Sequence, residues 1–485
     1  MKKILCLVCS LALVIGLAAS LATVSADTVV SISSVKQLAA IQDNLDGNYK
    51  LTKNLTFSKS DFEKGGAFYN DGAGWSPIGH TPQKGFSGTF DGGGYTISNL
   101  YVSIHANPKD NAAKYAGLFG NVTGTVKNLR LDNVDITINN SKAARAGAVA
   151  GFSTGTITQV SATGKITCTN GKNTMALGGI VGRQTQTAVV SECQTGINLM
   201  ADGVAIYLGG IVGQNMGGMI STSKSAGIIN GDADYQLYIG GIVGINDKAS
   251  SNEGVAVDCL RIGETVGWAE SDVYGGGIVG KNNGRISACV MLEEARFDGA
   301  SHVYGGQVAG DNNGTIGLTY YINETEAFGS IGKGTVADAT RLDKNFSKDD
   351  VSDLLQDSEC WSYSGGTVKL GGLPSLPTTT KPSTTTKNKV TIPSKKPTQK
   401  TTIKGGTTTT LAGGPGVSTT TNATVMPDGG IYEDSDDFGT DDTTDDERQK
   451  KIGVVGWVLI CGCAVLVLVA GAWLILEFNN RKRRL

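Results

Sequence analysis

Apolar positions in this chain come in short runs rich in Ile and Val, closed on both sides by Gly or Asn, and the runs return at a fixed interval. GLFG ends at Gly120, GAVAG at Gly151, GGIVG at Gly182, Gly213, Gly244 and Gly280, and GGQVAG at Gly310, so the spacings are 31, 31, 31, 31, 36 and 30 residues. Gly recurs four residues later at Gly124, Gly155, Gly217, Gly284 and Gly314, with Val126, Ile157, Ile286 and Ile316 two beyond. The long interval before Gly280 holds an insertion, DKASSN, before Gly254. A fixed period of this size marks stacked structural units that each contact their neighbours. No stretch inside a unit carries a helical period, so each unit reads as short strands joined by turns.

Strands repeated in this way lie parallel, and stacking coils about 4.8 Å apart pairs each backbone group with the coil above and below. The fold this predicts is an all-β, right-handed parallel β-helix, the hand following the crossover rule. Ile180, Ile211, Ile242 and Ile278 form one interior ladder, and the Gly before them turn a corner where a Cβ would clash or φ must be positive. Insertions belong in loops on the rim. An open solenoid end must be covered, and both ends offer a helix. Ser34 and Gln37 form a capping box for a helix with Val35, Leu38, Ile41 and Leu45 on one side, closed by Asp46-Gly47. At the other end Ser347 to Gln356 carries Val351, Leu354 and Leu355, with Trp361, Leu373 and Leu376 completing the cover. Between the first helix and the repeats, YKLTKNLTF alternates as a strand, and FSGTFDGGGYTISNLYV reads as two strands around Asp91-Gly92-Gly93-Gly94.

The termini change the picture from a fold to a placement. Lys2 and Lys3, an apolar run from Ile4 to Ala19 and small residues at Val24-Ser25-Ala26 predict a secretory signal over 1–26. The 25 residues 452–476 carry no charge, more than the roughly 20 that cross a hydrocarbon core. Arg481, Lys482, Arg483 and Arg484 follow, so the positive-inside bias puts the tail in the cytoplasm and the bulk outside. No Leu-Pro-x-Thr-Gly precedes the span, which reads as a permanent anchor in a cell membrane. From Pro377 the chain is Thr, Pro, Lys and Gly, and from Asp428 it is acidic, so neither half buries enough apolar surface to fold. The predicted organisation is signal 1–26, N-terminal cap and first coils 27–114, repeats 115–330, C-terminal cap 331–376, disordered stalk 377–450, membrane span 452–476 and tail 477–485.

Composition argues against a conventional enzyme. There are 68 Gly and 3 His among 485 residues, and the Gly share is far above the usual 7% or so. The net charge of -2 carries no argument for nucleic-acid binding. The exported part keeps only Cys168, Cys193, Cys259, Cys289 and Cys360, an odd and sparse set for a disulfide framework. Cys193, Cys259 and Cys289 each follow an apolar position of one strand by three residues, at Val190, Ala256 and Ile286. Small inward-facing hydrophobes explain them better than a metal or redox site, because no His or second Cys lies at ligand spacing. A Cys259–Cys289 disulfide between neighbouring coils is geometrically open. Tyr207, Tyr238, Tyr274 and Tyr304 share one register; a structural stack of rings explains them more simply than a carbohydrate platform.

His80, His105 and His302 sit far apart with no His-Glu-x-x-His, and no Gly-x-Ser-x-Gly or phosphate loop occurs. No EF-hand or nonapeptide calcium pattern appears. The enzymatic rival is a polysaccharide lyase or glycosidase built on paired carboxylates, with Asp232, Asp234, Asp258, Glu293 and Glu294 as candidates. Their convergence in a groove with a basic residue would favour it, and scatter around the rim would oppose it. No residue is assigned to catalysis, cofactor or metal.

The repeats GLFG and GGIVG resemble the GLUG motif, and WSPIG, FSGTFDGGGYTISNL and AGLFG resemble the module that precedes such repeats in many bacterial surface proteins. The resemblance covers roughly 31 to 376. Similar repeats accompany the exported IgA-cleaving metallopeptidases as an accessory region. The resemblance implies a β-helical surface module of largely unknown or adhesive role, and no catalytic residues. The reading is a non-enzymatic surface protein that binds a glycan, a matrix component or another protein; a carbohydrate-active β-helix and a structural spacer are the alternatives.

Overall fold

The structure is a computed structural model that describes residues 28–373 except 82–83, 106–113, 140–142, 336–337, 344–345, 348–349, 358–359, 365–366 and 372. The expected signal, stalk, span and tail lie outside the described residues. Among the described residues no helix is long and apolar enough to cross a membrane.

The coils stack as the period requires. One sheet has nine strands. Eight are parallel, running from Phe119–Val122 through Ala150–Ser153, Val181–Thr185, Val212–Met216, Val243–Ala249, Val279–Asn282 and Ala309–Asn312 to Ile331–Gly334. The remaining strands of the coils form a sheet of 26. Val126, Ile157, Val190, Ile220, Ala256, Ile286 and Ile316 succeed one another in register, all inside. Ile180, Ile211, Ile242 and Ile278 are fully buried, and their backbones bond coil to coil at 2.9 to 3.0 Å. The insertion folds as a rim hairpin, Asn252–Glu253 running antiparallel to the end of Val243–Ala249.

The glycines of GGIVG act by close approach. A Cβ on Gly209 would overlap the Val212 carbonyl oxygen, and one on Gly213 would sit 2.7 Å from the backbone N and O of Leu177. Positive φ is found elsewhere, at a corner occupied in successive coils by Asn128, Gln159, Glu192, Thr222, Asp258, Ala288 and Leu318, with φ between 45° and 57°. The residue after that corner explains the cysteines. Cys193, Cys259 and Cys289 are fully buried and free, and each thiol donates to the carbonyl two residues back, at 3.1, 3.3 and 3.4 Å. Ser223 and Thr319 take the same place and donate in the same way, at 2.7 and 3.1 Å. The cysteines are therefore corner-closing donors as well as core hydrophobes, and the possible disulfide does not form.

A buried amide row runs beside the core. Gln184 Nε2 donates to Asn215 Oδ1 at 3.0 Å, Asn215 Nδ2 to Asn246 Oδ1 at 2.8 Å, Asn246 Nδ2 to Asn282 Oδ1 at 2.9 Å and Asn282 Nδ2 to Asn312 Oδ1 at 2.9 Å. The same nitrogens of Asn215 and Asn246 also close the next turn on the carbonyls of Gly218 and Gly254. Gly218, not Gly217, is thus the stacked glycine of its coil, preceding Met219 as Gly254 precedes its partner Val255.

At the N-terminal end the expected helix forms over Val35–Ala39 and continues as a 3-10 turn, Ala40–Asp43, with Leu38 and Ile41 fully buried. Ser34 accepts from the Gln37 amide, while the Gln37 side chain accepts from the Ser33 amide and hydroxyl and from the Ser34 hydroxyl. The C-terminal end departs from expectation. Strands Ile331–Gly334 and Ala339–Arg341 still pair with the coil before them. The helix is a single turn, Val351–Leu354, followed by a hairpin of Trp361–Ser364 and Thr367–Leu370. These pack against Leu260, Val290 and Leu292, on the flank of the coils. The physical reason is that Leu260, Val290 and Tyr320 stack in one register as an apolar strip that needs a cover.

Candidate functional site

The tyrosines form the most regular outward feature. Tyr207, Tyr238, Tyr274 and Tyr304 are in register on successive strands, between inward residues such as Leu208 and Leu237. Their ring centroids lie 4.9, 4.8 and 5.0 Å apart, with planes within 9°, 5° and 22° of parallel. That is the coil spacing, so the rings stack on one another. The outer face of Tyr304 is taken by Lys333, whose Nζ is 4.7 Å from the centroid. The structural stack expected from sequence is therefore formed, and the ring faces of Tyr238 and Tyr274 cannot serve as a platform for sugar rings. The ring edges form one continuous row along the coils.

A second row comes from the residue after the last Gly of each motif, where Arg183, Gln214, Ile245, Lys281, Asp311 and Lys333 stand in register. Lys281 Nζ reaches to 5.9 Å of the Tyr274 ring and 3.9 Å of Asp311 Oδ2. On the tyrosine strands, two residues earlier, Gln236, Asp272 and His302 make a third row. His302 Nδ1 lies 3.0 Å from Asp272 Oδ1, and Tyr238 donates to Gln236 at 3.4 Å. Burial raises the Tyr238 hydroxyl pKa, reinforced by Tyr207, Tyr274, Asp272 and Asp311. It keeps its proton as a donor. Two buried carboxylate oxygens, Asp247 Oδ2 and Asp311 Oδ1, accept no hydrogen bond among the described residues, although their residues are only 7% and 4% exposed. Chemically this face offers a line of phenol edges with neighbouring charges of both signs.

The carboxylates picked from sequence do not converge there. Asp232 and Asp234 lie on the strand Ile229–Gly240, where Asp232 is in register with Asp202 and Trp268. Asp258 is 3% exposed and accepts from the Gln356 amide at 2.7 Å and the Trp361 indole at 2.8 Å. It fastens the C-terminal hairpin. Glu293 acts on buried Arg261, whose pKa burial lowers to about 9 against the pull of Glu293. Glu294 accepts from the Thr325 amide at 2.6 Å. Among the described residues no group of three or more His, Cys, Asp and Glu is placed to hold a metal ion. His80 and His105 lie away from His302, the latter bonded to Ser103. The acids beside the tyrosines, Asp247, Asp272 and Asp311, were missed by sequence reasoning; their signal was position in the repeat, three and one residues after the last motif glycine for Asp247 and Asp311 and two before the tyrosine for Asp272.

The fold is that of a parallel β-solenoid with a row of stacked tyrosines on one face. No family model matches the chain, so the likeness to the GLUG motif rests on the quoted residues. Over 131 residues the chain is 33% identical to halomucin of Haloquadratum walsbyi, which is 26% of this chain and 1% of that protein. The chain thus spans about 1% of the length of that relative. A solved structure of a putative immunoglobulin A1 protease from Bacteroides ovatus aligns with a TM-score of 0.48 and 16% identity, over 70% of this chain and 91% of that one.

Proposed function

We propose that this chain is a non-enzymatic binding module displayed at a cell surface, and that its ligand lies along the row of tyrosines. The ligand is a glycan, a matrix component or another protein. The observation that carries this reading is the unbroken row of tyrosine ring edges at coil spacing, with His302, Asp272 and Lys281 beside it. Groups repeated at about 4.8–5.0 Å along one line suit an extended ligand better than a compact one. Display at a membrane is supported by the apolar stretch 452–476 and its basic flank.

The full-length protein, presented to a glycan array and used for partner capture alongside a polysaccharide-degradation screen, tests the binding claim. Retention that is lost in Asp311→Asn or Tyr274→Ala supports it, whereas turnover of a polysaccharide overturns it. Release of the protein from membranes by high salt alone would overturn the anchor.

A further inference from the structure

The C-terminal segment makes a second kind of contact with the coils, unlike any the coils make with each other. Its hairpin strands pair only with one another, Trp361 with Leu370 through Ser364 with Thr367. Neither strand joins the coil sheets. The attachment is lateral. It consists of an apolar cluster of Val351, Leu355, Trp361, Val368 and Leu370 on Leu260, Val290 and Leu292, plus two buried clips. One clip is Asp258, accepting from Gln356 and Trp361. The other is Lys224, 6% exposed, which donates to the Val368 carbonyl at 2.6 Å.

The direction of the segment matters as much as its contacts. It leaves the last coil at Leu342, whose amide bonds to Tyr321. It meets Asp258 and then Lys224, which belong to successively earlier coils. At Leu373 it lines a cavity of about 420 Å³ with Lys50, Asp91, Asn128 and Arg130 of the first coils. The chain thus doubles back along the flank.

We propose that residues 342–373 are a releasable strap: the segment detaches from the flank as a unit while the coil stack stays folded, uncovering the strip of Leu260, Val290 and Tyr320. Side-chain clips and one apolar contact hold it, so its opening is a sub-global event set well below the opening of the ladder strands. A pull on the chain beyond 373 loads the strap from the Leu373 end, where Val368 and its clip to Lys224 are met first, and Asp258 next.

Hydrogen exchange on the full-length protein tests this. Amides of 351–364 are expected to exchange faster than those of the coil ladders at Ile211, Ile242 and Ile278. Asp258→Ala removes two hydrogen bonds to a charged acceptor and is expected to speed strap exchange by a factor of ten or more, leaving those ladder amides unchanged. Trp361→Phe keeps the ring, loses one donor and is expected to give a smaller increase in the same amides, which serves if Asp258→Ala fails to fold. Strap and ladder amides exchanging together in the wild type, or both rising equally in Trp361→Phe, would overturn the proposal.

Discussion

Asn246 shows what a single residue does in a stacked fold. Its side chain accepts from Asn215, donates to Asn282 and closes its own turn on the Gly254 carbonyl, all inside the protein. An Asn at this place satisfies a turn and a neighbouring coil at once, which is why the row persists from Asn215 to Asn312. Asn246→Ala removes these bonds and a weaker one to the Arg285 carbonyl, leaves a space, and is expected to cost about 2–4 kcal/mol, read as a fall in the denaturant midpoint. Loss of less than half a kcal/mol would show that the row contributes nothing. The pattern was legible as Gly-x-Asn after four motifs, but Asn is also an ordinary turn residue, and nothing local distinguishes a buried row from a set of exposed turns. The corner before the cysteines was illegible for a different reason. Its positive φ is carried by Asn, Gln, Glu, Thr, Asp, Ala and Leu in turn, so the conformation is imposed by stacking and leaves no residue signature.

Among the elements, those defined by the repeat were readable and the strap was not. The ladders of Ile180 and Val126 follow from a period in which each glycine is held by a backbone approach. The hairpin of the insertion follows from its six extra residues. The strap meets the flank through pairs such as Asp258 and Trp361, 103 residues apart, which no periodicity announces. Its Ser347–Gln356 segment was expected as an end cap because its apolar residues needed burial; the structure buries them on the side strip instead. Lys224 gives the strap a pH dependence. Burial lowers its pKa to about 8 from 10.5. Release frees it toward its ordinary value, so above pH 8 the open form holds more protons and closure strengthens as pH rises from about 8 to 9, by up to about tenfold per pH unit. Above 9 the strap's own Cys360, whose thiol burial and Asp357 push up from 9.0 to about 12, works the other way. Strap release followed by Trp361 fluorescence, as the difference from Trp361→Phe, is expected to show this slope. Lys224→Met is expected to abolish it; a slope unchanged in Lys224→Met would refute the assignment.

For the whole molecule, stacking explains the glycines, cysteines and tyrosines that stand out in the sequence, and it also builds the tyrosine face. Repetition lines up Tyr207 to Tyr304 in one row and Arg183 to Lys333 in another, so a surface without any single conspicuous residue becomes a continuous face, the one on which binding is proposed. The candidate acids of the sequence reading were chosen by residue type, and Asp258 proved to be a fastening for the strap while Asp232 and Asp234 lie apart from it. Position in the repeat was the better guide, since Asp311 and Lys281 share one place in successive motifs. The measurement that tests this account most directly is the equilibrium binding of a ligand, recovered by the array or capture, to the wild type and to Tyr274→Ala, Asp311→Asn and the strap variant Trp361→Phe. The account predicts a loss of tenfold or more for the two tyrosine-face variants and little change for Trp361→Phe. Binding unaffected by both tyrosine-face variants would contradict it.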